Sequence, residues 1–168
     1  QTKAATLAIA DFEGPVYLRF GRPVVPVFIP EDMPFEIGKG IMLQEGTDVT
    51  IVATGHLVWE SLLAADALEK KGISCEVINI HTIKPLDEEI ILKSVEKTGR
   101  IVTAEEHNYI GGLGESVAGM LSRKRPTIQE FVAVNDTFGE SATPAELMKK
   151  YEIDSDAVQA AVKRIMKR

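Results

Sequence analysis

Residues 49–57 read Val49-Thr50-Ile51-Val52-Ala53-Thr54-Gly55-His56-Leu57, and this run decides the fold class. Five apolar or β-branched residues without polar alternation describe a strand covered on both faces. Gly55 then permits a tight turn. Over residues 57–71 Val58, Leu62, Ala65 and Leu68 return at steps of three and four, and Gly72 ends the pattern. That is an amphipathic helix with its stop signal.

The alternation continues on both sides. Upstream, residues 41–43 read as an edge strand; downstream, residues 75–80 and 101–104 are apolar strands and residues 131–134 a last one. Asp87 is the N-cap of a helix running to about Lys97, with Leu86 able to staple onto Ile91. Another helix spans about residues 115–122. Thr143-Pro144-Ala145-Glu146 is a capping box with proline at the first helical position, and Asp154 opens a final helix with Val158, Ala161, Val162 and Ile165 on one face. Strands alternating with helices predict an α/β fold over residues 40–168. The expected architecture is a three-layer α/β/α sandwich on a mainly parallel five-stranded sheet with one antiparallel edge strand. Trp59 and Leu63, four apart on a separate face of the first of these helices, are expected to help cover a neighbouring element or domain.

Residues 1–39 have a different texture. Residues 4–10 read as the last turns of a helix, and the chain opens at Gln1 without a methionine, so the helix is expected to be cut at its start. Gly14-Pro15 punctuates, and residues 16–20 have a short strand's composition. Pro23, Pro26, Pro30 and Pro34 then exclude helix, leaving an extended linker whose Val24, Val25, Val27, Phe28 and Ile29 are expected to pack along a surface. The expected organisation is a remnant of a preceding domain at 1–22, a proline-rich linker at 23–39 and the main domain at 40–168.

Composition excludes several functions. At 168 residues, 45% hydrophobic and 26% charged, this is a globular chain. Its net charge of −6 argues against a grip on nucleic acid. Cys75 is the single cysteine and lies in an apolar stretch, so it reads as a buried, inert thiol with no disulfide or cysteine-rich metal site. No apolar run approaches the ~20 residues of a membrane span, and a cytoplasmic setting is the default.

Ligands of open α/β sheets sit beyond the carboxyl ends of the strands. Three loops there are informative. His56, after the first long strand, could bind an anion at a helix N-terminus, but nothing nearby in sequence pairs with it and a strand-ending structural histidine is the plainer reading. Glu105-Glu106-His107-Asn108-Tyr109-Ile110-Gly111-Gly112-Leu113-Gly114 suggests a phosphate loop. Yet Val117 stands where a dinucleotide fingerprint has its third glycine, no Gly-Lys-Ser/Thr follows, and Glu115 would repel an anion. Glu105, Glu106 and His107 could form an acid/base cluster, but adjacent residues point in different directions, which favours a hydrogen-bonded corner. Thr137-Phe138-Gly139-Glu140-Ser141 contains no nucleophile elbow. His81, ahead of Lys84-Pro85, reads as loop chemistry of the same bland kind, and the three histidines have no zinc-ligand spacing. From the residues alone the chain is an α/β domain without a catalytic constellation.

Four segments in this order resemble a known family: Gly14-Pro15-Val16-Tyr17-Leu18-Arg19-Phe20-Gly21-Arg22-Pro23, Gly38-Lys39-Gly40, Thr82-Ile83-Lys84-Pro85-Leu86-Asp87, and Glu105-Glu106-His107 with Gly111-Gly112-Leu113-Gly114. They are similar to the end of the pyrimidine-binding domain and the whole C-terminal domain of thiamine-diphosphate enzymes of the transketolase group. The group includes deoxyxylulose-phosphate synthase and the beta chains of 2-oxoacid dehydrogenases. Residues 19–23 and the run from Phe138-Gly139-Glu140-Ser141 through Ile153 favour transketolase.

The resemblance implies a parent transferase of the pentose phosphate pathway that moves a two-carbon ketol unit between sugar phosphates, with thiamine diphosphate and Mg²⁺ as cofactors. The family's Gly-Asp-Gly…Asn segment occurs nowhere here, and its pyrimidine-engaging glutamate lies upstream of Gln1. The fragment alone is therefore expected to bind neither cofactor and to be inactive, acting as a structural and interaction domain. Its implied partners are the remaining transketolase domains, or a companion N-terminal subunit, in a homodimeric parent; a free-standing regulatory ligand-binding module is the rival reading. One substrate-binding residue carries over: Arg22 matches the second arginine of the family's Arg-x-x-Arg segment, which holds the substrate phosphate. A planar guanidinium suits a dianion because it donates two parallel hydrogen bonds. Arg19 is a weaker second candidate.

Overall fold

A computed structural model of the protein describes residues 1–21 and 24–168. Eleven elements follow one another among the described residues: α1 (Thr2–Ala10), β1 (Ile41–Gln44), β2 (Val49–Ala53), α2 (Leu57–Glu69), β3 (Cys75–Asn79), α3 (Glu88–Thr98), β4 (Arg100–Asn108), α4 (Leu113–Lys124), β5 (Ile128–Val134), α5 (Pro144–Lys150) and α6 (Ser155–Ile165). The sheet order is β1-β3-β2-β4-β5. β2 pairs in parallel with β3 (Ile51 opposite Val77) and with β4 (Ile51 opposite Val102), and β4 pairs in parallel with β5. β1 lies antiparallel to β3 at the edge, with a register shift between Met42 and Gln44. The five-stranded sheet and its antiparallel edge strand are therefore those expected from the sequence.

Side-chain alternation sorts the layers. Val49, Ile51 and Ala53 of β2 face one core with Leu57, Ala65 and Leu68 of α2 and Val158, Ala161, Val162 and Ile165 of α6. Val52, with Ile78 and Ile101, faces the other core, built with Ile91 and Val95 of α3 and Val117, Met120 and Leu121 of α4. Every residue of β2 is buried. Its one polar side chain survives there because Thr50 Oγ1 lies 2.5 Å from Ser94 Oγ and 2.7 Å from Thr98 Oγ1, so the hydroxyls satisfy one another. The predicted caps form: Asp87 accepts from the Ile90 amide, Asp154 from the Ala157 amide, and Thr143 with Glu146 closes a capping box.

Before β1 the expectations hold less well. Residues 16–20 form no strand among the described residues, and Val16, Tyr17 and Phe20 are exposed. β-rich composition makes a strand only where another strand supplies the facing hydrogen bonds, and none of the described residues does so here. The linker valines are not packed either, since Val24 and Val27 are 99% and 90% exposed. Phe28 and Ile29 are half-buried, and the Phe28 ring lies 5.4 Å from that of Trp59 at 31°. Trp59 thus covers a neighbouring element as expected, while Leu63 stays 42% exposed. No helix among the described residues is long and apolar enough to cross a membrane.

Candidate functional site

From β2 the chain steps to β3 on one side, crosses back to β4 on the other, and continues outward to β5. The carboxyl ends of β2 and β4 therefore flank the switch point of the sheet, where doubly wound folds bind ligands.

The glycine loop after β4 is closed from within. Glu105 is 1% exposed. Its Oε2 accepts from the Leu113 amide and its Oε1 from the Gly114 amide, both at 2.8 Å. The carboxylate sits against the first turn of α4, where free amides and the helix dipole favour negative charge. This is the place a phosphate would take, and Glu105 fills it. Gly112 is required because a Cβ there would overlap the Glu105 carboxylate. Glu115 tightens the loop further by accepting from the Gly111 amide at 2.7 Å. The capping role is what sequence reasoning missed; a buried-strand glutamate ahead of two glycines is its only signal.

No acid/base cluster assembles around it. Glu106 and His107 are exposed, and His107 Nδ1 donates to the Asn108 carbonyl at 2.7 Å. Asn108 ties the end of β4 to the loop after β5, accepting from the Ile110 amide at 2.9 Å and donating to Asp136 at 3.0 Å. The Thr137–Ser141 turn is exposed, with Phe138 94% accessible.

His81 holds the linker. Its ring lies 4.3 Å from that of Phe35, and Nδ1 is 3.0 Å from Thr82 Oγ1, which accepts from the Gly38 amide at 3.2 Å. Nε2 is buried without a hydrogen-bond partner. Burial lowers the pKa of the ring, against a smaller opposing pull from the Lys39 backbone. Cys75 is buried and free, and burial, reinforced by the Asp48 charge, pushes its thiol up to about 12, which removes it as a nucleophile.

His56 stands at the N-cap position of α2, without a side-chain cap bond. Gly21 approaches it so closely that a Cβ there would lie 2.8 Å from Nε2. Arg19 Nη2 is 3.5 Å from the Glu106 carbonyl, at the long limit of a hydrogen bond. Arg22, the residue assigned to the substrate phosphate, lies outside the described residues. No group of three His, Cys, Asp or Glu side chains among the described residues is placed to hold a metal ion. With the Leu113 and Gly114 amides taken by Glu105, this loop does not fit the diphosphate of a thiamine cofactor.

A family model described as transketolase, C-terminal domain, matches residues 38–158. The chain is 43% identical over 169 residues to a 6-deoxy-6-sulfo-D-fructose transketolase subunit of Clostridium sp. (strain MSTE9), covering 100% of this chain and 52% of that protein. To an apulose-4-phosphate transketolase subunit of Phocaeicola vulgatus it is 37% identical over 159 residues, covering 94% and 51%. A solved structure described as a split gene transketolase, inactive beta4 tetramer, superposes with a TM-score of 0.93 at 46% identity, over 98% of this chain and 55% of that one. The chain thus spans about half the length of these relatives.

Proposed function

Because the chain belongs to the transketolase C-terminal domain family, we propose that it is the C-terminal section of a transketolase-type transferase that moves a two-carbon ketol unit between sugar phosphates. Thiamine diphosphate, held with Mg²⁺ by the remainder of the enzyme, supplies the carbanion chemistry. In this reading residues 1–22 end a pyrimidine-binding domain, residues 23–39 are the linker, and residues 40–168 pack against the other domains or a companion subunit of a homodimeric, cytoplasmic enzyme. The observation that carries the reading is the similarity, along 94–100% of this chain, to transketolase subunits, one of them from a split enzyme. That same observation disfavours a 2-oxoacid dehydrogenase, a deoxyxylulose-phosphate synthase or a free regulatory module.

Arg22 holds the anionic end of the substrate. The relatives' names give one substrate a sulfo group and the other a phosphate, and both are anions that a guanidinium recognises. The fragment alone has no cofactor site and no activity. The description of the split-gene relative as an inactive tetramer supports the lack of activity.

The test has two arms. Calorimetric titration of the chain with thiamine diphosphate and Mg²⁺ should show no micromolar binding. In the complete enzyme, Arg22→Ala should weaken use of a phosphorylated acceptor by roughly ten- to a hundredfold, the loss of a charge-assisted hydrogen bond. Most of this loss should fall in KM, because the remote phosphate is bound alike in ground and transition states. Equal damage with a non-phosphorylated acceptor would make Arg22 a structural linker residue.

A further inference from the structure

The two ends of the sheet present different surfaces. At the amino end, the turns at 45–48, 70–74, 98–100 and 125–127 expose no large apolar side chain, and Ile128, the first residue of β5, is the nearest, at 37%. At the carboxyl end, Ile83 after β3, Ile110 after β4 and Phe138 after β5 are all exposed.

Residues 1–40 lie along that same carboxyl end. Gln1 Oε1 accepts from Asn79 Nδ2 at 3.1 Å at the end of β3, Arg19 lies beside the Glu106 carbonyl late in β4, and Gly21 lies against His56 after β2. Phe35 packs on His81, and the Gly38 and Gly40 amides donate to Thr82 at 3.2 Å and to Asp87 at 2.8 Å, in the loop after β3. Among the described residues fourteen large apolar side chains are exposed, and eight of them belong to this segment, all before residue 28. The segment therefore grips the domain on one side and turns an apolar surface outward on the other. Apolar side chains gathered at one end, and not scattered singly, mark an interaction surface.

Phe138 is fitted to anchor it. Its ring is 94% accessible, yet its backbone is tied down: the Tyr151 hydroxyl donates to the Phe138 carbonyl at 3.1 Å and Lys150 pairs with Glu140 at 2.6 Å. Asn108 joins this loop to the one after β4 through Asp136. A ring on an anchored loop loses little freedom when covered.

The similarities indicate what covers it. The C-terminal domain match begins at residue 38, whereas the match to the Clostridium subunit takes in 100% of this chain and 52% of that protein. The apolar segment thus lies ahead of the domain match but inside the wider one, and about half of that relative lies beyond it. We propose that the carboxyl end of the sheet, with residues 1–27 layered on it and Phe138 as its anchor, is the interface on which the rest of the enzyme seats. The occupant rests on the reading above of this chain as one section of a larger transketolase; the surface rests on the exposure and contacts just given.

Hydroxyl-radical footprinting of the chain by itself and within the complete enzyme tests this, with ketol transfer recorded on the same preparation. Tyr17, Phe20 and Phe138 should react freely in the lone chain and about tenfold more slowly in the complete enzyme, as side chains shut off from water at an interface core do. Ile128, at the other end of the sheet, should keep its rate. Phe138→Asp should leave the melting midpoint of the lone chain unchanged, as exposed substitutions do, and in the complete enzyme should lose most of the protection at Ile110 on the adjoining loop. Freely reacting Tyr17, Phe20 and Phe138 in an enzyme that transfers ketol units would overturn the interface while leaving the transketolase reading in place. Protection without any ketol transfer would sink that reading and keep the interface. Protection that grows with concentration in the lone chain would assign the surface to a second copy and overturn the proposal.

Discussion

Residues 49–53 and 24–28 are both valine-rich runs, Val-Thr-Ile-Val-Ala and Val-Val-Pro-Val-Phe, yet they meet opposite fates. In β2 even the threonine is at 0% exposure, while Val24 is at 99% and Val27 at 90%. β2 has strands on both sides and a helical layer on each face, so every apolar group and every amide finds a partner. The linker run has no strand beside it and reaches a helix only through Phe28, which packs on Trp59, and Pro26 lacks the N–H that a ladder needs. Apolar content states what a segment gains by being covered; whether cover exists is decided by the rest of the molecule.

The sharpest way to break the comparison is a matched pair of truncations. Ile51→Ala should cost about 2–5 kcal/mol, as large-to-small changes in a packed core do, and Val27→Ala should stay within about 0.5 kcal/mol, as exposed substitutions do. Urea unfolding followed by Trp59 fluorescence measures both. A loss at Val27 comparable to that at Ile51 would mean the linker run is covered in solution after all.

A second variant tests whether the buried carboxylate of β4 is held as firmly as the apolar residues of β2. Glu105→Ala leaves the Leu113 and Gly114 amides without their acceptor, which should cost about 1–3 kcal/mol. The exchange of those two amides should quicken well beyond that of the rest of α4. Uniform quickening along α4 would point to general unfolding, not to the lost cap.

The smallest effect belongs to His81, where the linker does find cover. Phe35, Thr82 and the Lys39 backbone face the ring, and burial holds its pKa below the ordinary 6.5. The folded chain therefore prefers the neutral ring, while the unfolded chain takes up its proton at higher pH. The stability His81 contributes is complete above pH 6.5 and drains away as pH falls from there through the lowered folded value. Comparing melting midpoints at about pH 7.5 and about pH 5.5, His81→Phe should show a flatter dependence than the native chain. An unchanged slope would remove His81 as its source.

The sequence by itself determined the α/β class, the five strands, the antiparallel edge and the caps at Asp87, Thr143 with Glu146, and Asp154. These depend on local spacing: a cap is read three residues ahead, a helical face every three or four, a buried strand in five consecutive side chains. It also carried the family resemblance, through motif strings and not through geometry. Only the tertiary structure decided that Glu105 occupies the anion position of α4, that residues 16–20 pair with no strand, and that Gly21 reaches His56. Each of these turns on which distant group arrives to satisfy a backbone amide or to fill a space. Local propensity sets the cost of leaving such a group bare, but strand order and chain path decide what comes to cover it.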